Sequence, residues 1–263
     1  MLTFDRAMRA TRGAREYQED TALLWPGDDP LAPGMDASAR PGRLLAVLAD
    51  GMGGHAGGAL ASRMACDQFL KTYAGHAGDV TTSLLETLAA ANAAIATKVG
   101  SNPLLNGMGS TLVGVVFEDG GMSWVSVGDS PLLLWRQGEI ALLNEDHSMA
   151  PDIDKLAAAG KITPAQARRD PRRHMLRSAV TGDDIDLVDI SRHPLLLEPG
   201  DYVILASDGL QTLEGNEIAR IVAAYGADGT EAVAGALIRS IDSLREPHQD
   251  NATVVAVRAI EGA

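Results

Sequence analysis

Ser110–Leu143 reads STLVGVVFEDGGMSWVSVGDSPLLLWRQGEIALL. Here the apolar pattern takes a period of two, the repeat of a strand rather than of a helix. The period predicts four strands, Ser110–Glu118, Met122–Gly128, Pro131–Arg136 and Ile140–Leu143. Asp119-Gly120-Gly121, Asp129-Ser130 and Gln137-Gly138 join them. Connections this short predict antiparallel neighbours, so a β-meander is expected. A βαβ series, and with it a doubly wound nucleotide-binding sheet, is disfavoured.

On the N-terminal side the repeat becomes helical. Ala61, Ala65, Phe69 and Tyr73 recur every four residues, predicting a helix over Ala56–Tyr73. Leu84, Leu88, Ala91, Ile95 and Val99 mark a second helix over Thr81–Val99, stopped at Gly100. Asn92 lies beside that stripe and reads as a packing residue. Ahead of both helices, LLAVLADGMGGHAGG (Leu44–Gly58) is a short buried strand running into Asp50 and a glycine loop. Residues 3–25 read as strand, turn, strand, with Gly13 at the turn, and Pro26–Pro41 as a surface excursion.

On the C-terminal side His147–Gly182 breaks the strand pattern. A short helix is expected over Asp152–Ala159. A second begins at Thr163-Pro164, with its cap and first-turn proline. The basic run Arg168, Arg169, Arg172 and Arg173 follows. Strands are expected over Asp186–Arg192, Tyr202–Ala206 and Ala252–Arg258, and helices over Glu214–Tyr225 and Thr230–Leu244. The order predicts antiparallel sheet covered by helices in one domain, residues 1–263, without repeats.

The chain has 263 residues, 46% of them hydrophobic, and a formal charge of −13. That charge argues against nucleic acid or an anionic membrane as partner. No run approaches the roughly 18 apolar residues of a membrane span. One cysteine, Cys66, excludes an internal disulfide framework and a Cys-based zinc site. It reads as a packed core thiol. A cytoplasmic protein is expected, with no signal peptide at its N-terminus.

Several strands run into aspartates with small or polar neighbours: Asp50-Gly51, Gly128-Asp129, Asp208-Gly209 and Asp250-Asn251, with Glu19-Asp20 after Arg15. Each alone is a turn. Brought to one side of a sheet, bare carboxylates would raise one another's pKa. Divalent cations resolve that conflict, and oxygen ligands favour Mg²⁺ or Mn²⁺. Two such ions about 3.5–4 Å apart can share a hydroxide and hold a phosphoryl oxygen.

REYQED (Arg15–Asp20), LADGMGGHAGG (Leu48–Gly58), GSTLVGVV (Gly109–Val116), VGDS (Val127–Ser130), NEDHS (Asn144–Ser148), LASDGL (Leu205–Leu210) and QDNATVV (Gln249–Val255) occur in that order. Together they resemble the PPM family of metal-dependent serine/threonine protein phosphatases, the type-2C phosphatases, in their compact bacterial form. The resemblance implies an α+β fold, a sandwich of two antiparallel sheets flanked by helices in four layers, α-β-β-α. It implies two Mn²⁺ or Mg²⁺ ions bridged by Asp50. The Gly51 carbonyl, Asp208 and Asp250 would be further ligands. Glu19 and Asp20 would hold metal-bound waters, and Asp129 a third, weaker ion. Arg15 would grip the substrate phosphate, a role suited to a guanidinium fork. Residues 147–182 would be a flap beside the site. The implied reaction is hydrolysis of phosphoserine and phosphothreonine by a metal-bridging hydroxide, without a phosphoenzyme. Arg15, Asp50 and Asp208 would carry it. The implied partners are phosphoproteins and a cognate serine/threonine kinase, and a monomer is expected.

The chain departs from that pattern at four places. Gln18 replaces asparagine, Pro131 an arginine, and Met52 the histidine of eukaryotic members. Thr212 stands where some members carry a further third-metal carboxylate. His55 reads as a loop hydrogen-bonder and His147 as structural. Two other readings compete. One is a phosphate-sensing module of the same fold with a decayed centre, against which Asp50, Asp208 and Asp250 argue. The other is a two-metal nuclease, against which the charge argues.

Overall fold

The computed structural model describes residues 2–26, 43–53, 56–74 and 78–262. The expected excursion after Pro26 and the residue His55 lie outside the described residues. The strands are β1 (Leu2–Thr11), β2 (Asp20–Trp25), β3 (Leu44–Met52), β4 (Gly109–Ser110), β5 (Leu112–Glu118), β6 (Gly121–Val127), β7 (Leu132–Arg136), β8 (Glu139–Leu142), β9 (Asp189–Ile190), β10 (Leu195–Leu196), β11 (Tyr202–Ala206) and β12 (Ala252–Glu261). The helices are α1 (Ala56–Ala74), α2 (Val80–Ser101), α3 (Ala150–Ala158), α4 (Pro164–Arg168), α5 (Gly215–Tyr225) and α6 (Thr230–Leu244). One sheet runs β1-β12-β11-β7-β8. The other runs β10-β6-β5-β3-β2, with β4 beside β3 and β9 beside β6. The strand pairs are antiparallel.

The alternation of side chains along a strand builds the layers. Leu45, Val47 and Ala49 of β3 pack against Phe69, Tyr73, Leu84 and Leu88 of α1 and α2. Leu44, Ala46 and Leu48 face the other way and meet Leu132, Val203, Leu205 and Val255 of the second sheet. Beyond that sheet, Ile204, Val254 and Ala256 pack on Ile218, Val222, Val233 and Leu237 of α5 and α6. The result is the expected four-layer α-β-β-α sandwich. Phe69, fully buried, fits over Gly114, where a Cβ would stand 2.2 Å from the ring. Truncating such an aromatic to alanine costs about 3–5 kcal/mol.

The pairing differs from the sequence reading in three places. The expected meander is two hairpins, β5–β6 and β7–β8, in different sheets. Asp129-Ser130 is not a hairpin turn but a crossing between sheets. Gly128 starts it at φ 104°, and Pro131 has no N–H to continue a ladder. Likewise β1 and β2 are not partners: β1 pairs with β12, and β2 with β3. The strand expected over Asp186–Arg192 shrinks to Asp189–Ile190. Leu187 is withdrawn because its N–H donates to Ser178 Oγ and its carbonyl accepts from the same hydroxyl.

Residues 147–182 carry α3, α4 and a 3₁₀ turn at Pro171–His174. Thr163 and Gln166 form the capping box of α4. The Arg177 N–H donates to the His147 carbonyl, and Ser148 bridges Leu176, so the two ends of the segment lie side by side.

Candidate metal centre

The antiparallel order brings the acidic turns to one end of both sheets. β3 reaches Asp50 where β2 begins at Asp20, and the two residues are direct cross-strand partners. Like charges placed opposite each other destabilise a ladder. At the same end β6 runs into Asp129, β11 into Asp208, and Asp250 precedes β12. The turn after β1 supplies Arg15 and Glu19. Arg15, Glu19, Asp50, Gly51, Asp129, Asp208 and Asp250 all line one cleft of about 830 Å³. Asp20 is buried behind them.

Asp20 also ties the sheets together. Its Oδ2 accepts hydrogen bonds from Ser207 Oγ and Thr253 Oγ1 of the other sheet, both at 2.8 Å. Burial still raises its pKa to about 6. Burial, with Asp208 and Asp146 as charged neighbours, pushes Asp129 to about 7. Asp50 lies well above the usual carboxylate range, through burial first and then Asp20, Asp208, Asp250 and Asp129. Asp208 is raised by burial and by Asp250.

This donor set fits hard divalent cations. Oδ1 of Asp20 and Oδ1 of Asp208 are buried without a hydrogen-bond donor. Both carboxylates lie against Asp50, itself an acid that brings no positive charge. Cations would supply the missing positive charge with oxygen ligands only. The acids are electrostatic neighbours rather than a finished cage. Among the described residues, no three His, Cys, Asp or Glu side chains stand in ready ligand geometry.

The backbone around Asp50 is tightly specified. Its N–H donates to Thr111 Oγ1 at 2.9 Å, and its carbonyl accepts from Ser110 Oγ at 2.8 Å. A Cβ on Gly51 would lie 2.1 Å from the Gly58 carbonyl oxygen, so the first turn of α1 can approach only a glycine. Asn251 holds the Arg15–Asp20 segment: its Oδ1 accepts from the Glu19 N–H, and its Nδ2 donates to the Arg12 and Tyr17 carbonyls. Gln18 Oε1 accepts from the Asp20 N–H at 3.3 Å.

The structure also places the other residues singled out in the sequence. Arg172 and Arg173 of the basic run are ion-paired. Arg172 pairs with Asp170, and Arg173 with Asp154. His174 and Arg177, rather than the run before them, line the cleft, as do Asp183, Asp184 and Asp186. Thr212 donates toward the Gly209 carbonyl and Gln249 Oε1, and Asp146 is the additional carboxylate felt by Asp129. Asn92 is a packing residue that also pins the end of the flap segment. Its Oδ1 accepts from the Gly182 N–H, and its Nδ2 donates to the Asp183 carbonyl. Cys66 is fully buried, donating to the Thr21 carbonyl.

Fold and cleft define a class: antiparallel α-β-β-α sandwiches with an oxygen-rich acidic cleft at one end of both sheets. A family profile described as Protein phosphatase 2C matches residues 26–250. The serine/threonine protein phosphatase PstP of Mycobacterium tuberculosis is 32% identical over 225 residues, 85% of this chain and 42% of the relative. This chain thus spans about two fifths of that relative's length. Protein phosphatase PhpP of Streptococcus pneumoniae is 33% identical over 188 residues, 70% of this chain and 74% of the relative. A crystal structure of the catalytic domain of PstP in complex with two manganese ions aligns with TM-score 0.77 and 28% identity, covering 99% of this chain and 100% of that one. The chain belongs to the protein phosphatase 2C family.

Proposed function

We propose that this chain hydrolyses phosphoserine and phosphothreonine in proteins, with two Mn²⁺ or Mg²⁺ ions held in the acidic cleft. The observation that carries this is the meeting of Asp50, Asp208 and Asp250 in one cleft with pKa values of Asp50 and Asp208 raised. Bound there, the cations would supply Lewis-acid activation of water and of the phosphoryl group. Asp50, Asp208, Asp250 and the Gly51 carbonyl would hold them, with Glu19 and Asp20 fixing the surrounding waters and Asp129 a weaker third ion. Arg15, at the cleft mouth, would orient the phosphate with its planar fork. Cys66, buried in the core, offers no nucleophile, which fits direct attack by water without a phosphoenzyme. Residues 147–182 would act as a flap, presenting His174 and Arg177 to the bound phosphoprotein.

The names of the relatives support a phosphoprotein as substrate, and we assign the enzyme to opposing a serine/threonine kinase. The unpaired, buried Cys66 suits a reducing cytoplasm. Among the described residues no helix is long and apolar enough to cross a membrane. The test is release of phosphate from phosphothreonine peptides with Mn²⁺ and with chelator. Turnover only with the metal is expected. No turnover under either condition would favour a phosphate-sensing module, and full turnover in chelator would overturn the metal-dependent reading.

A further inference from the structure

A second hollow, about 310 Å³ in volume, opens beside the acidic cleft between β8, the 3₁₀ turn Asp208–Thr212 and the start of α5. Its floor is apolar: Leu142, Leu210, Leu213 and Ile218. Leu142 is 55% exposed on β8, the outer strand of its sheet. The rim is acidic. Asp129, Asp146 and Glu214 line it without any lysine or arginine among the lining residues. Pro131 forms part of the wall and brings no counter-charge. The hollow adjoins the cleft, since Asp129 lines both.

We propose that this hollow is a docking site for the phosphoprotein substrate itself, taking an apolar side chain that stands next to an arginine or lysine. The proposal rests on the phosphatase reading given above. Three features select this occupant. The apolar floor rewards a leucine-sized side chain, because taking apolar surface out of water is favourable. The rim acids, exposed Glu214 foremost, favour a cation beside it and reject acidic flanks. Adjacency at Asp129 means that one extended segment can occupy cleft and hollow together. The second contact would tether the phosphoresidue and act chiefly on KM, since it touches none of the reacting atoms.

The test uses the whole chain with Mn²⁺ and a set of phosphothreonine peptides. Each peptide carries one Leu-Arg pair, stepped along either side of the phosphoresidue, and p-nitrophenyl phosphate serves as the small reference substrate. At one spacing kcat/KM should rise about tenfold through KM, the equivalent of about 1.4 kcal/mol. Leu142→Ser and Glu214→Gln should each remove most of that gain. Both residues are exposed, and Glu214 makes no side-chain cap for α5, so neither change threatens the fold. Turnover of p-nitrophenyl phosphate should stay within about twofold in both variants, since that substrate reaches only the cleft. No gain at any spacing, or a gain that survives both substitutions, overturns the docking site while leaving the phosphatase intact. A dimer in sedimentation that Leu142→Ser disperses would assign the hollow to a second copy and also overturn it. Absence of turnover on p-nitrophenyl phosphate by the unmodified chain would overturn the phosphatase reading and the docking site with it.

Discussion

Arg15 Nη2 lies 2.5 Å from Asp250 Oδ2, so the expected phosphate clamp and an expected metal ligand hold each other. The bond to Asp250 is the main reason the guanidinium is kept even more firmly charged than usual. Arg15 is still half exposed and lines the cleft, so a phosphate there can reach its guanidinium.

Arg15→Lys therefore keeps the charge but loses the fork. The KM for a phosphopeptide should rise several-fold, by about 1 kcal/mol or more, while the Mn²⁺ requirement changes little. Arg15→Ala should raise KM further and also weaken Mn²⁺ binding, because Asp250 loses its partner. Steady-state kinetics across a Mn²⁺ titration separates the two effects. Unchanged kinetics in Arg15→Ala would remove this residue from the site.

The carboxylates give the metal-free protein a definite pH dependence. Asp20 is raised to about 6, Asp129 to about 7, and Asp50 and Asp208 are also raised. An unfolded aspartate titrates near 3.9. Between about pH 4 and 7 the native state thus binds more protons than the unfolded state, and stability falls as pH rises. Below that window the contribution is fully present, and above it the loss is complete for Asp20 and Asp129. Chelator-treated protein should melt at a lower temperature at pH 8 than at pH 5, and Mn²⁺ should raise the Tm more at pH 8. Melting curves with equal Tm at the two pH values would show that burial and neighbouring charge do not raise these acids in the native state.

The strands and helices were legible because they rest on local periodicity, and Leu44–Ala49, apolar throughout, reads as a buried strand; the two sheets and four layers came only with the family resemblance. The acidic set was legible because each member sits at a strand end. What stayed hidden is tertiary. A two-residue link such as Asp129-Ser130 looks like a hairpin from its length, and only the pairing of β7 with β11 turns it into a crossing. Ser207 and Thr253 hold Asp20 from 187 and 233 residues away, a relation no spacing rule reaches. Arg172 and Arg173 read as a basic patch because the aspartates that take them, Asp170 and Asp154, are identified only by geometry.

Asp208→Asn should separate ligation from folding by opposite signs. The change removes one charge from a repelling set and keeps the side-chain size. In chelator at pH 8 the Tm should rise, because the remaining acids are relieved. With Mn²⁺ the Tm gain should shrink, and activity should fall at least about a hundredfold, since even the outer partners of metal ligands cost about 10–100-fold. A lower Tm in chelator would instead mark Asp208 as a residue that supports the fold.

The last prediction concerns His147, which is 2% exposed and sits under the Gly128–Asp129 corner. Its Nδ1 accepts from the Gly128 N–H at 3.2 Å, and its own backbone N–H donates to the Gly128 carbonyl at 3.0 Å. As the acceptor of that bond Nδ1 carries no proton, and burial lowers the imidazole's pKa. Gly128 needs such support. It is held at φ 104°, and a Cβ there would meet Thr111 at 2.6 Å. His147→Ala leaves the Gly128 N–H buried without its partner, a loss of about 1–3 kcal/mol before any cavity is counted. The corner would loosen, and Asp129 with it. The expected outcome is a lower Tm and a higher Mn²⁺ concentration for half-maximal activity. His147→Asn can place Oδ1 where Nδ1 stood, so it should restore the Mn²⁺ titration more fully than the Tm, since the ring's volume is still missing. If the alanine variant lowers only the Tm and leaves the Mn²⁺ titration unchanged, His147 packs the corner without positioning Asp129.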